Sequence, residues 1–563
     1  MKKKWWQDKV CYQIWPKSFQ DSNGDGIGDI PGIIARLDYL KELGVDILWL
    51  SPVYKSPLAD EGYDIADYRD IDPRFGTLED MDRLLAETKR RGMYVIMDLV
   101  VNHCSDEHPW FQKALADPEG LYGRYFYFCK GQNGAPPTNW RGYFGGSVWS
   151  PVPGRQDLYY LHLFCEKQPD LNWENPAVRR EVADLVNWWL GRGVAGFRVD
   201  AIVNIGKPAA FESFAPDRPD GLADCCGMLR DPVARRRLHG YLAALRDEAF
   251  APHDAFTVGE VFNTDPAELD LFIGENGFFS SMFDFAPACW GGSPKGWYDA
   301  KKPGPDDYRD CAFASARAAA GIGFLSNIIE NHDEPRGASR YLPEEAAGDP
   351  RAQKALAAVQ LLLPGLPFLY QGQEIGMTNT VFPSIGAVDD VSTHGEYAAA
   401  LAAGLSPAEA LERVARWSRD NARTPVQWSA GPAAGFTTGA PWLPVNPNYT
   451  RVNVAAQQGV PDSVLEFYKE LIKLRKNDKY KEALVWGGFG AVGQEQAGLA
   501  AFVRAGGGRR LLVAADLGGK GQRVALPAPA KGVLACSDGA PALEEKALTL
   551  APWQAVVLEL EQE

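Results

Sequence analysis

Three apolar runs in this 563-residue chain lead into an acid: Gly196-Phe197-Arg198-Val199-Asp200, Thr257-Val258-Gly259-Glu260, and the run at 324–328 that continues into Asn331-His332-Asp333. A fourth, Asp98-Leu99-Val100-Val101, leads into Asn102-His103. Paired carboxylates are what cleavage of a glycosidic bond needs. One protonates the departing oxygen, and the other attacks or stabilises the oxocarbenium-like carbon. A single Asp or Glu after an apolar run is as readily a cap or half of an ion pair. Three of them, with His103, Arg198 and His332 beside them, read as one reacting group. Arg198, next but one to Asp200, is expected to keep that carboxylate ionised. Glu260, following an apolar run, is expected to be desolvated and raised in pKa, as an acid working near neutral pH requires.

These residues must be carried to one place. Strand-like runs at 10–15, 46–50, 94–100, 195–199, 255–259, 279–283, 324–328 and 366–370 alternate with helix-like segments such as 33–43 and 78–90. Near-continuous apolar strands between helices indicate a parallel sheet covered on both faces. Eight of them indicate an α/β fold, a (β/α)8 TIM barrel, which places reacting groups at the C-terminal ends of its strands. The crossover after the third run is too long for a simple connection and is expected to form an inserted subdomain. A second insertion at about 379–425 holds a helix start, Ser406-Pro407-Ala408-Glu409, with cap, proline and N3 glutamate in place. Past about 478 the pattern changes to short strands, beginning with a hairpin of 499–504 and 510–516 around three glycines. The expected organisation is a barrel of residues 1–103 and 174–478, a subdomain of 104–173, and a C-terminal all-β, sandwich-like domain of 479–563.

Composition narrows the class. Lys+Arg 58 against Asp+Glu 73 gives a net charge of −15, which offers no basic face to nucleic acid or an anionic membrane. The positive start at Lys2-Lys3-Lys4 is not followed by an apolar core and cleavage site, and the apolar window 356–370 is broken by Gln360, Pro364, Gly365 and Pro367. Neither a secretory signal nor a membrane span is expected. Nine cysteines, including the vicinal Cys225-Cys226 and no CxxC, fit reduced thiols in a cytoplasmic protein. Seven histidines without an HExxH give no support to a zinc centre. A monomer or weak homo-oligomer without an organic cofactor is expected.

One further cluster offers oxygen ligands. Asp21, Asn23, Asp25 and Asp29 occupy positions 1, 3, 5 and 9 of an EF-hand-like loop, with Gly26 at position 6 and Ile27 able to supply a carbonyl. Position 12 is Gly32 rather than Glu, so this is not an EF-hand, and an ion-free Asx/Gly turn is the competing reading. Gly24, Gly26 and Gly28 do not follow GxGxxG spacing, and the acids would repel a pyrophosphate.

The runs ending in Asp200 and Glu260, together with Glu330-Asn331-His332-Asp333-Glu334-Pro335, resemble signature motifs of glycoside hydrolase family 13, the α-amylase superfamily. Gln168-Pro169-Asp170-Leu171-Asn172-Trp173, the stretch from Gly365 to Met377 and the stretch from Ser418 to Trp428 resemble its oligo-1,6-glucosidase and α-glucosidase branch. The resemblance runs from about Trp5 to about Asp478. It implies a retaining, exo-acting α-glucosidase acting on short oligosaccharides, with Asp200 as nucleophile, Glu260 as acid/base and Asp333 as the third carboxylate. It further implies that Asp60, Tyr63 and Arg419 hold the terminal glucose. His103 and His332 would bind sugar hydroxyls, with Phe164 and Gln168 in the pocket wall. In the 21–29 loop it implies a structural Ca²⁺, or Mg²⁺. Ala201, directly after Asp200, resembles α-1,4-acting members, whereas the wider motif set resembles isomaltose-cleaving ones, so the expected preference leans to α-1,6 with α-1,4 activity beside it. Sucrose-isomerising relatives carry an Arg-Leu-Asp-Arg-Asp loop where this chain reads Arg336-Gly337-Ala338-Ser339-Arg340-Tyr341. Isomerisation is therefore a minor alternative. A non-catalytic scaffold is another, disfavoured because all three carboxylates are kept.

Overall fold

The computed structural model describes residues 3–131, 134–218, 220–262 and 266–562. Eight short strands whose residues are almost all buried cannot share a flat sheet with a solvated face, and they close on themselves. They are β1 (Cys11–Ile14), β2 (Ile47–Leu50), β3 (Tyr94–Leu99), β4 (Gly196–Val199), β5 (Phe256–Gly259), β6 (Ser281–Phe283), β7 (Phe324–Asn327) and β8 (Leu366–Tyr370). Each pairs in parallel with its sequence neighbours, and β8 closes on β1 with Phe368 opposite Cys11. The expected (β/α)8 barrel is therefore formed. Its interior is plugged by Trp49, Phe256, Val258, Phe283, Phe324 and Phe368, so the mouth above this apolar floor is where polar groups collect.

The helix Leu78–Arg90 spans the expected segment and starts on a Thr77/Asp80 capping box. The segment expected as one helix at 33–43 is instead two, Ile30–Ala35 and Leu37–Leu43. Asp29 accepts from the Gly32 N–H and, with Pro31 in the first turn, starts the helix before the apolar period begins. Arg36 then breaks the helix in two, its guanidinium held by Gln20 at 2.8 Å.

The long crossover after β3 contains the helix Pro109–Ala116 and a three-stranded antiparallel sheet of Phe128–Lys130, Leu158–Leu161 and Trp149–Pro151. This small sheet does not make its core alone. Trp140–Arg141 pairs with Ala223–Asp224 from the segment after β4, and Cys225 and Met228 pack with Trp140, Val148 and Leu161. At the C-terminus, Leu499–Gly506 and Arg509–Asp516 form the expected hairpin within a five-stranded sheet, backed by a three-stranded one. Among the described residues no helix is long and apolar enough to cross a membrane.

Candidate active site

Register on the barrel decides which side chains meet. Arg198 on β4 is the cross-strand partner of Asp98 on β3. Its guanidinium lies 5.3 Å from the Trp49 ring centre, on the apolar floor. Nη1 contacts Asp98 Oδ1 at 2.6 Å and Asp200 Oδ1 at 2.5 Å, while Nη2 contacts Glu260 Oε1 at 2.5 Å. The Ala201 N–H donates to Glu260 Oε2 at 2.7 Å. One planar cation thus fastens carboxylates from three adjacent strand ends. Asp98 is a member that motif reading missed. Its signal was the inward register it shares with Arg198, which is visible only once β3 and β4 are paired. Trp49 Nε1 donates to the other Asp98 oxygen at 2.8 Å.

Sharing the cation changes the expected electrostatics. Burial raises Asp200; Arg198 opposes that but is divided among three acids, Asp98 and Asp333 add to the rise, and the group reaches about 7. Arg198 therefore moderates the pKa of Asp200 without returning it to the ordinary range, contrary to the expectation that it keeps this carboxylate ionised. Glu260 is raised further, to about 8, by burial and then by Asp200 and Asp333 against Arg198. Its expected desolvation is present, and it keeps a proton to higher pH than its neighbour.

Asp333 stands in the loop after β7 under different control. Burial would raise it, but the His332 hydrogen bond and the Arg419 and Arg423 guanidinium groups outweigh this and hold it well below the usual carboxylate range. Arg423 Nη2 is 3.1 Å and Arg419 Nη1 3.3 Å from Asp333 Oδ1. His332 stacks against Trp15 and Tyr63, with ring centres 5.2 and 5.3 Å away. Gln13 Nε2 donates to His332 Nδ1 at 2.8 Å, so the proton sits on Nε2, 2.9 Å from Asp333 Oδ2. Burial pushes His332 down to about 4, and it acts as a neutral donor.

The far end of the pocket is built from loops after β2, β3 and β8. Arg419 Nε contacts Asp390 Oδ1 at 2.8 Å, and its Nη2 stands 3.7 Å from Asp60 Oδ1. Gln168 Nε2 donates to Asp60 Oδ2 at 3.0 Å and lies 3.1 Å from His103 Nε2. The Phe164 ring packs 5.0 Å from His103 and stacks 4.7 Å from Tyr143. Tyr63 is committed on its hydroxyl, which lies 2.5 Å from His332 Nε2 and 3.3 Å from Asp98 Oδ2. The structure therefore brings Asp60, Tyr63, His103, Phe164, Gln168, Arg198, Asp200, Glu260, His332, Asp333 and Arg419 into one contact network. Asp390 and Arg423 also belong to it. Asp390 reads locally as a helix cap, which it is, accepting from the Ser392 N–H at 3.0 Å. Its second role needs Arg419, twenty-nine residues on, to be folded against it.

Residues 13–487 match the family model for the α-amylase catalytic domain, and residues 499–557 match that for the C-terminal domain of the α-amylase SusG. The chain belongs to the α-amylase family of glycoside hydrolases. It is 41% identical, over the whole of both chains, to an oligo-1,6-glucosidase of Parageobacillus thermoglucosidasius. It is 39% identical to a glucan 1,6-alpha-glucosidase of Streptococcus pneumoniae, again over the whole of both. The crystal structure of the trehalulose synthase MutB from Pseudomonas mesoacidophila MX-45 superposes with a TM-score of 0.92 at 37% identity, covering 100% of both chains.

This glycoside hydrolase keeps the oxygen-rich 21–29 loop apart from the carboxylate network. Asp21 Oδ1 accepts from the Asn23 and Gly24 N–H groups, both at 2.8 Å, and Oδ2 from the Gly26 N–H at 2.8 Å and the Thr437 hydroxyl at 2.5 Å. Asn23 Oδ1 and Asp25 Oδ1 close Asx turns onto Asp25 and Ile27. Asp29 is the cap of the following helix. Gly26 has φ +91°, and a Cβ there would meet the Ala440 carbonyl oxygen at 1.9 Å, so the loop seats on 437–440 only with glycine at that position. The donors are all oxygen, the type that suits a hard cation, but the Asp21, Asp25 and Asp29 carboxylates are not gathered within 4.8 Å of one another. The loop's own hydrogen bonds also shape it.

Proposed function

We propose that this glycoside hydrolase is a retaining, exo-acting α-glucosidase that releases glucose from the non-reducing end of short α-glucosides, preferring α-1,6 linkages and also cutting α-1,4 linkages. The observation that carries the reading is at Asp60. Its Oδ1 is buried without a hydrogen-bond partner, 3.7 Å from the Arg419 guanidinium. A carboxylate oxygen and a cation separated by that gap can share one sugar hydroxyl. Gln168 supports Asp60 and Asp390 supports Arg419 from behind, and Phe164 packs beside them on His103, so the chain of sugars ends there.

In this reading Glu260, protonated at neutral pH, gives its proton to the glycosidic oxygen as the bond to C1 breaks, and Asp200 forms a bond to C1. Water then attacks C1 from the vacated side, passes its proton to Glu260, and Asp200 leaves as carboxylate. Inversion twice gives net retention. One guanidinium holding both carboxylates favours the short separation of retaining enzymes, about 5–5.5 Å, over the roughly 6.5–9.5 Å of inverting ones. Asp333, ionised and fixed by two arginines, is suited to grip hydroxyls of a ring that gains positive charge in the transition state.

Two sequence pointers to linkage disagree, Ala201 favouring α-1,4 and the wider motif set α-1,6. The relatives named as 1,6-acting support the second. A sucrose-isomerising reading has the solved neighbour on its side. Against it, Arg336 is spent inside the fold on Glu330, Gln371 and Ala422, and Arg340 on Glu334. The 21–29 loop would hold Ca²⁺, or Mg²⁺, through Asp21, Asn23, Asp25, Asp29 and the Ile27 carbonyl, cross-linking the loop without touching the reaction. The nine free cysteines support placing the enzyme in the cytoplasm. Rates on isomaltose, maltose and sucrose, with NMR of the first anomer released, test the whole reading. α-Glucose as the first product and a higher rate on isomaltose are expected. β-Glucose would overturn retention, maltose released from starch the closed end, and trehalulose or isomaltulose from sucrose the hydrolase assignment.

A further inference from the structure

The segment after β4 carries two adjacent thiols that the sugar chemistry does not use. Cys225–Arg230 is a 3₁₀ turn capped by Asp224, whose Oδ1 accepts from the Cys226 N–H at 2.8 Å. The Asp224 N–H is in turn fixed to Asp217 at 2.7 Å, and the strand Ala223–Asp224 is paired to Trp140–Arg141. Cys225 is buried among Trp140, Val148 and Met228, Cys226 is partly exposed, and Asp224 is exposed. One carboxylate oxygen of Asp224 and the two Sγ atoms all lie within 4.8 Å of one another. Among the described residues no other three His, Cys, Asp or Glu side chains meet this closely.

A zinc-type ion bound at about 2.3 Å per sulfur in a tetrahedron needs its sulfurs roughly 3.8 Å apart. The common limit of 4.8 Å exceeds that sulfur–sulfur spacing by about 1 Å, so the trio is gathered before any ion arrives. Core packing holds one sulfur, the Cys226 N–H holds the carboxylate, and the solvent side is open for entry. Two thiolates and one carboxylate favour a soft or borderline cation over Ca²⁺ or Mg²⁺. The seven histidines without an HExxH give no support to a His-based centre but are silent about this donor set.

We propose that Asp224, Cys225 and Cys226 form a binding site for a thiophilic divalent cation such as Zn²⁺, and that its occupancy restrains the sugar pocket. On binding, both thiol protons pass to solvent, two metal–sulfur bonds and one metal–oxygen bond form, and nothing is oxidised or reduced. The link to the pocket is Tyr143. Cys226 Sγ donates to its hydroxyl at 3.4 Å, and that hydroxyl donates to Asn204 Oδ1 at 2.8 Å. Asn204 lies in the turn Ile202–Ile205 just after Asp200 and Ala201, and the Tyr143 ring stacks on Phe164. A metal-bound thiolate has no proton to donate and accepts from the Tyr143 hydroxyl instead, drawing it away from Asn204.

Titration of the full-length enzyme with Co²⁺, in the presence of Ca²⁺ and a non-thiol reductant, reads the ligands directly. One Co²⁺ per chain with a near-ultraviolet thiolate-to-cobalt band is expected. Cys226→Ser should abolish the band, and Asp224→Ala should weaken binding about tenfold or more while keeping it. Cys226→Ser, on the exposed side of the pair, is expected to retain wild-type circular dichroism and basal hydrolysis of 4-nitrophenyl α-glucoside. Zn²⁺ should lower that hydrolysis several-fold in the wild type and leave the variant unaffected. Absence of the band in the wild type, or an equal band in Cys226→Ser, would overturn the site. Equal Zn²⁺ inhibition of both proteins would overturn the link to the pocket.

Discussion

Asp200 and Glu260 hang from the same guanidinium yet are separated in affinity for the proton, about 7 against about 8. Hydrolysis needs the first ionised and the second protonated, so kcat/KM should follow a bell whose limbs lie near those values, as apparent constants of the coupled pair. Glu260→Gln should remove the alkaline limb. It should also slow isomaltose hydrolysis by roughly 10²–10⁴, and slow an aryl glucoside far less because that leaving group departs unprotonated. An alkaline limb that persists in the variant would take the acid role from Glu260. Asp390 argues the same way one contact further out. Asp390→Asn leaves a neutral partner for Arg419 and should raise KM about tenfold, a loss of roughly 1.4 kcal/mol of binding, with kcat little changed. An equal fall in kcat would mean that Asp390 acts on the reacting bond. At this scale the reacting trio was legible, because Asp200 and Glu260 directly follow apolar strands and Asp333 stands in the loop that a third one feeds. Asp98, Asp390 and Arg423 were not, because their partners lie on other elements and nothing in their own neighbourhood sets them apart.

At the scale of elements, all eight barrel strands could be read from apolar runs, since a strand buried on both faces leaves an unbroken signal. The pairing of Trp140–Arg141 with Ala223–Asp224 could not. Two-residue strands carry no periodicity, and the contact joins segments eighty-three residues apart. Two predictions belong here. Ala201 adopts φ +41°, ψ 29°, a left-handed conformation that costs a non-glycine residue about 1–2 kcal/mol and lets its N–H meet Glu260. Ala201→Gly should relieve part of that cost and raise the melting temperature, whereas Ala201→Val should lower it, because a branched Cβ fits this region worse. Calorimetry of the two variants checks the order. The 21–29 loop, shaped by its own hydrogen bonds, should stay folded without an ion. Chelation is therefore expected to lower the melting temperature by a few degrees, with turnover of the folded enzyme nearly unchanged. Loss of turnover at constant melting temperature would place the ion in the reaction.

Across the whole molecule, buried acids govern how stability varies with pH. Burial raises Asp64, Asp98, Asp284 and Asp420 to about 6, Asp200 to about 7 and Glu260 to about 8. Between about pH 4 and these values the folded chain holds protons that the unfolded chain has released, so stability falls as pH rises through that window. Asp333 and Asp390 are lowered and act in the opposite sense, supplying stability above the ordinary carboxylate pKa that is lost in stronger acid. The two sets together predict greatest stability in mildly acidic solution, below the pH of greatest activity. A net charge of −15 would produce a similar decline by surface repulsion, but repulsion between exposed charges is screened by salt and the buried pair is not. Asp200→Asn with Glu260→Gln replaces two acids that resist ionisation by neutral groups of the same shape. At high ionic strength and pH 8 the double variant should melt a few degrees above the wild type, and at pH 4.5 the two should melt together. A constant gain at both values would trace the effect to packing, and a gain abolished by salt would trace it to the surface.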